Sequence, residues 1–245
     1  MAQPAPDFAH LLRIEGARLG DVRPEHLDLP IPHLEGWTVH DVVGHVGWVA
    51  GYARQALEAA PDALPTKADV PEPPPGPEVV DWFGDAFAQL LTTFDQADLA
   101  APRPTWTGPQ KASWWLRRVA NEVAVHRWDA EAAWSSPTPV APRQARDAVD
   151  EVLDVFAPHR LQLSEFDDAA ATVHLHATDI DDGEWMIEIS DTAISWSEGH
   201  GKGDVAARGP VSDLLLMMWG RIPPSRLEVF GDSSLLDRWQ TSATF

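Results

Sequence analysis

The stretch RVANEVAVHRWDAEAA, Arg118–Ala133, has the spacing of one amphipathic helix. At about 100° per residue, Trp115, Val119, Glu122, His126, Ala130 and Ala133 fall within roughly a quarter of the helix circumference. A glutamate and a histidine therefore occupy the stripe where apolar residues belong, and both face the same interior. Burying a carboxylate without a cation costs several kcal/mol, so this stripe asks for a positive partner.

Working outward, the segments before it repeat the same helical grammar. Phe8, Leu11, Leu12, Ile14 and Leu19 recur at roughly helical spacing behind Asp7, a residue suited to the N-cap. Thr38 opens a second helix, and Asp41 three residues later completes a Thr-x-x-Asp capping pattern. Its stripe runs Val42, His45, Val46, Val49 and Ala53. PDALPTKADVPEPPPGP, residues 61–77, is too rich in proline for regular structure and reads as a semi-rigid surface connection. Val79, Phe83, Phe87, Leu90 and Phe94 then line one face of a third helix. Four helices, each with one apolar face, are most simply buried together as a four-helix bundle. SSPTPVAP, residues 135–142, ends the pattern, and we place the domain boundary at 140/141.

Beyond the break, a helix over about 143–157 carries Val149, Val152, Leu153 and Phe156, and then the period changes. ATVHLHA (171–177), EWMIEIS (184–190) and AISWSE (193–198) alternate or are β-rich, with turns between, which predicts an antiparallel meander. PVSDLLLMMWGR and DSSLLDRWQ read as helices flanking a short strand RLEVF. The expected architecture is a helical bundle over residues 1–140 followed by an α+β domain with a small antiparallel sheet over 141–245.

The chain of 245 residues carries 18 basic and 38 acidic side chains, a formal charge of −20. Such a surface repels phosphate backbones and anionic lipid, so neither nucleic acid nor a membrane surface is an expected partner. Its 12 tryptophans and 8 phenylalanines supply the bulk for a sizeable core, and there is no cysteine. Disulfides, thiolate metal sites and a cysteine nucleophile are thereby excluded, and any sulfur chemistry must use an external thiol. The N-terminus has no secretory pattern and no segment reaches the ~18 apolar residues of a membrane span, so a cytoplasmic protein, monomeric or a small homo-oligomer, is expected.

Glu122 and His126 form an i, i+4 pair, and His45 lies on the apolar stripe of another helix of the same bundle. Two histidines and one carboxylate from two helices can make a three-ligand metal site with coordination positions left open for water or substrate. The set suits zinc best and also admits iron or nickel. Spacing alone equally allows an exposed Glu-x-x-x-His pair worth only ~0.2 to 0.5 kcal/mol and an unrelated core histidine.

GWTVHDVVGHVGWVAGYARQAL and NEVAVHRWDAE resemble the two motifs of the mycothiol-dependent maleylpyruvate isomerase family, whose N-terminal domain belongs to the DinB-like metal-binding four-helix bundles. DLLLMMWGRIPPSRLEVFGDSSLLDRW is similar to that family's C-terminal domain, which resembles sterol carrier proteins. The resemblance extends over nearly the whole chain in the right order. It implies that His45, Glu122 and His126 are the metal ligands, that mycothiol is the thiol cosubstrate, and that the two domains cooperate on a small-molecule substrate. It also implicates Arg221, in WGRIPP, in catalysis; read by itself, that arginine is as well explained by contact with helix C-terminal carbonyls.

The resulting expectation is a metal-dependent enzyme that activates a low-molecular-weight thiol. As an isomerase it would add the thiolate to the cis double bond of maleylpyruvate, let the adduct rotate, and eliminate the thiolate to give the trans product. As an S-transferase it would keep the adduct, and a binding or stress-response module without catalysis is a further alternative. The remaining signals are weaker. His174 and His176 share one face of a strand and could chelate a metal, though a solvated sheet face is the simpler reading. Asp129 projects within about 60° of Glu122 and could accept a hydrogen bond from a ligand histidine, or lie on the helix surface. Trp106, Trp114, Trp115 and Trp128 could wall a cleft or pack the core. GHGKGD (199–204) is a glycine-rich turn to which no ligand is assigned.

Overall fold

The structure is a computed structural model and describes residues 5–166 and 171–243. The chain divides into two compact units, one spanning Pro6–Thr138 and the other holding the chain from Pro139.

The first unit is built on α1 (Phe8–Gly20), α2 (Val39–Glu58), α3 (Glu78–Gln96) and α4 (Ala112–Ala132), with a minimal hairpin of β1 (Pro102–Arg103) and β2 (Gln110–Lys111) before α4. The starts of the first two helices follow from local chemistry. The Asp7 carboxylate accepts from the His10 amide, and Thr38 and Asp41 form a reciprocal capping box on α2 that satisfies backbone donors left without intrahelical partners. The bundle closes as a ring in which α4 packs on α1 and α2, and both of these pack on α3. The third helix puts Val79, Phe83, Phe87, Leu90 and Phe94 into the core, burials worth about 1.5 to 3 kcal/mol per large side chain. Gly16 permits the close contact of α1 with α3, since a Cβ there would stand 2.1 Å from the buried Phe87 ring.

One helical stripe differs from that read from sequence. On α1 the inward residues are Leu12, Glu15, Gly16 and Leu19, while Ile14 is exposed. The cause lies on α4, which is buried on nearly all sides. Arg127 is fully buried there, donates from Nε to Glu15 at 2.6 Å and lies 3.2 Å from Glu131, and also hydrogen-bonds the Thr138 carbonyl. A buried guanidinium needs such partners to offset its desolvation, and Glu15 is drawn inward as one of them. The proline-rich stretch 61–77 is an irregular strap held to α2: the Tyr52 hydroxyl donates to the Pro65 carbonyl at 2.9 Å and the Gln55 amide to that of Asp69 at 2.6 Å.

In the second unit, α5 (Pro142–Glu151) continues through a π-helical turn, Val152–Phe156, into the short α6 (Ala157–Arg160). The strands β3 (Ala171–Ala177), β4 (Glu184–Ile189), β5 (Ile194–Glu198), β6 (Val205–Gly209) and β7 (Glu228–Gly231) form one sheet in the order β5-β4-β3-β6-β7. β3, β4 and β5 are the expected antiparallel meander. The strand β6, which the sequence reading left unassigned, pairs parallel to β3 and antiparallel to β7. Val173, Leu175, Trp185, Ile187, Val205 and Ala207 are buried on one sheet face. α7 (Val211–Met218) packs against β3 and β6, and α5 packs on α7. The indole of Trp185 donates to Asp150 of α5 at 2.7 Å. The chain ends with α8 (Ser234–Ser242), whose Trp239 indole donates to the Met218 carbonyl at 2.9 Å. No described helix is long and apolar enough to cross a membrane.

Candidate metal centre

α2 and α4 pack directly, so His45 from one and Glu122 and His126 from the other meet inside the bundle. His45 Nε2 lies 2.8 Å from Glu122 Oε1, and His126 Nε2 lies 3.3 Å from the same oxygen. One ligand atom from each of the three residues falls within 4.8 Å of the others. The side chains of Glu122 and His126 are 13% and 9% exposed and that of His45 is 33% exposed, so the cluster is enclosed on the α4 side and opens beside His45.

The surroundings show how the cluster is held. Asp129, fully buried one turn beyond His126, brings Oδ2 to 2.9 Å from His126 Nδ1 and Oδ1 to 2.6 Å from His33 Nε2. An ionised carboxylate only accepts, so both imidazole nitrogens facing it donate. With its proton committed at Nδ1, a neutral His126 presents the lone pair of Nε2 to the cluster. Trp37 stacks on the His126 ring at 6.3 Å and meets the His45 ring edge-on at 5.5 Å, placing apolar surface against both histidines. Arg118, buried one turn before Glu122, forms an ion pair with it.

Two imidazole nitrogens and one carboxylate oxygen, one histidine already oriented by a buried carboxylate, fit a divalent transition metal with open coordination positions. The residues that would hold it are His45, Glu122 and His126.

The other sequence candidates fall elsewhere. Asp129 is not a surface carboxylate: it is buried against His126. His33 and Trp37 were missed, because they come from the irregular segment before α2 and nothing in local spacing ties residue 33 to residue 129. Trp106, Trp114 and Trp115 pack edge-on against one another at 4.7 to 5.5 Å, and Trp115 is core, with its indole donating to the Pro104 carbonyl at 3.0 Å. Trp128 lies instead beside His33, at 5.1 Å. Arg221 belongs to the second unit, just past the end of α7. It is 9% exposed, donates to the Trp219 carbonyl at 2.8 Å and lies 5.8 Å from the Trp219 ring centre. His174 and His176 lie together on β3 beside Glu184 and His200.

A helical bundle with an internal two-histidine, one-carboxylate cluster, followed by an α+β domain, defines the class of the molecule. Residues 9–131 match the model of the mycothiol maleylpyruvate isomerase N-terminal domain, and residues 143–238 match the model of the corresponding C-terminal domain. The chain belongs to the mycothiol-dependent maleylpyruvate isomerase family. Among solved structures it is similar in fold to a crystal structure of a histidine-to-alanine mutant of mycothiol-dependent maleylpyruvate isomerase, with a TM-score of 0.65, 15% identity and 93% of each chain covered. A crystal structure of that isomerase without the stated substitution gives a TM-score of 0.57, 14% identity and 90% coverage of each chain. No curated protein matches the sequence closely enough to count as a relative.

Proposed function

We propose that the protein is a metal-dependent enzyme that activates mycothiol or a closely similar small thiol, and that its reaction is the cis–trans isomerisation of maleylpyruvate or a related unsaturated acid. The observation that carries this reading is the meeting of His45, Glu122 and His126 inside the bundle, with Asp129 fixing the His126 tautomer, in a chain that belongs to a family with this chemistry in its name. A bound divalent metal supplies one thing there: it favours thiolate over thiol at neutral pH. The protein's own groups do the rest. Asp129 holds His126 in the tautomer that keeps Nε2 aimed at the cluster, Arg118 balances the Glu122 charge, and Trp37 lies against both histidine rings. Arg221 would hold a substrate carboxylate through its planar fork of donors. The thiolate sulfur adds to the cis double bond, the former double bond rotates, and elimination returns the thiolate with the trans acid. No cysteine of the chain can replace the added thiol. Zinc is the metal the donor set suits best, and the cytoplasm the compartment that suits a small-thiol enzyme with no disulfide.

The test is turnover of maleylpyruvate by metal-loaded protein with and without mycothiol. An isomerase needs thiol but does not use it up, whereas an S-transferase loses one thiol for each product formed, so a thiol balance separates the two. Turnover that ignores added thiol, or the absence of any metal-dependent thiol binding, overturns the proposal. Within the same assay, Arg221→Lys retains the charge and loses the fork. Both Arg221→Lys and Arg221→Ala should lower kcat/KM by about 10- to 100-fold, the equivalent of roughly 1.5 to 3 kcal/mol for hydrogen bonds to a charged group. Unchanged kinetics in both variants would remove Arg221 from the reaction.

A further inference from the structure

We propose that His174, His176, Glu184 and His200 form a second metal site, in the α+β unit, that takes a divalent transition metal of the zinc class and fastens the glycine-rich loop to the sheet. This inference does not depend on the role assigned to the bundle cluster.

The strand register brings the first three residues together. His174 and His176 are two apart on β3 and share the face opposite the apolar core, and His176 stands directly across from Glu184 on β4. The fourth, His200, lies in the loop that leaves β5. Among the described residues this is one of two groups whose histidine nitrogens and carboxylate oxygens all lie within 4.8 Å of one another. Glu184 is its centre: Oε1 is 3.0 Å from His176 Nδ1, and Oε2 is 3.0 Å from His200 Nδ1 and 3.5 Å from His174 Nε2.

His174 supplies an independent observation. The residue is 4% exposed, and its Nε2, buried and facing Glu184, has no hydrogen-bond partner among the described residues. A buried ring nitrogen without a partner is costly, and coordination to a cation would satisfy it. Burial, against the opposing pull of Glu184, holds this imidazole below the usual histidine pKa. The loop is shaped to reach the site. A Cβ on Gly203 would meet the backbone oxygens of Val205 and Thr172 at 2.7 and 2.9 Å, and one on Gly201 would meet the Met186 sulfur at 2.8 Å. The backbone contacts at Gly203 require glycine there, which lets the loop lie this close to β3, and His200 is carried with it.

Three imidazole nitrogens and one carboxylate oxygen complete a tetrahedral set. Four protein ligands leave no open position, so the site would be structural, in contrast to the three-ligand cluster of the bundle. The isolated-cluster alternative is a carboxylate serving three histidines by hydrogen bonds alone, and it predicts no uptake of metal.

The experiment uses untagged full-length protein, stripped with a chelator, incubated with zinc ion, desalted and analysed for bound metal per chain. Wild type should retain two equivalents, His200→Ala one, His45→Ala one, and the double variant none. The His200 side chain is 76% exposed, so its removal leaves the core intact. His176→Ala is the second variant and should lose the same equivalent. In the His45→Ala background, zinc should raise the thermal unfolding midpoint, because a ligand bound only to the folded state stabilises it, and His200→Ala should abolish that shift. If the bundle reading alone is wrong, His45→Ala retains all the metal while His200→Ala still loses one equivalent. If His200→Ala and His176→Ala both bind as much zinc as wild type, the second site does not exist.

Discussion

His45→Ala is expected to strip the bundle of its metal and to lower thiol-dependent turnover by about a thousandfold. A metal ion supplies several kcal/mol of charge stabilisation, and ~4 kcal/mol corresponds to that factor. His45 is the most informative of the three proposed ligands because its side chain is one-third exposed, so its loss should leave the unfolding midpoint of the metal-free protein nearly unchanged. Glu122→Ala should be as inactive but also less stable, since it breaks the ion pair that Glu122 makes with the buried Arg118, and breaking a buried pair is destabilising. Glu122→Gln separates the two effects: it keeps an acceptor for His45 and removes the negative charge. Metal analysis of each purified variant, with calorimetry of the stripped forms, is the measurement. Full metal content in His45→Ala would refute the ligand assignment.

Much of this arrangement was legible from residue spacing, and the parts that were not share a physical cause. The helix starts at Asp7 and Thr38, the apolar stripes of α2 and α3, and the inward glutamate and histidine of α4 are all local, periodic signals. The burial of Arg127 is not, because it depends on α4 being packed on several sides and on Glu15 arriving from α1, more than a hundred residues away in sequence. Ile14 was read as inward for the same reason: hydrophobicity favours it, but the buried arginine selects Glu15. The strand β6 escaped notice because its inner positions are Val205, Ala207 and Gly209, a face too small to read as a strand, and because it joins the sheet by pairing parallel to β3, with β4 and β5 between them in sequence. At the site, His45, Glu122 and His126 were visible as polar intrusions on apolar stripes. His33 and Trp37, from an irregular segment, had no periodicity to betray them. Glu184 and His200 were likewise invisible as companions of His174 and His176, since only the β3–β4 register and the path of the glycine-rich loop bring them together.

The Asp129 variants should be graded rather than uniform, and the grading follows from hydrogen-bond inventory. The carboxylate accepts from His126 Nδ1 on one oxygen and from His33 Nε2 on the other. Asparagine offers one carbonyl oxygen and one amide group. In Asp129→Asn the oxygen can still accept from His126 while the amide donates to His33, provided that His33 moves its proton to Nδ1. Ring orientation is then preserved, and what is lost is the negative charge that raises the basicity of His126. Asp129→Ala loses both contacts, and with them the acceptor that fixes the proton at His126 Nδ1. Changes to carboxylates that support metal-ligating histidines cost about 10- to 100-fold in affinity or activity, so Asp129→Asn is expected near the lower figure and Asp129→Ala near the upper. His33→Ala, which touches only the far oxygen, should fall below both. Competition against a chelator of known affinity gives the order directly. Stability measured on the metal-free forms supplies the control: if Asp129 served the fold alone, all three variants would lower the unfolding midpoint while binding metal as wild type does. Equal metal affinity in Asp129→Ala and wild type would remove Asp129 from the centre.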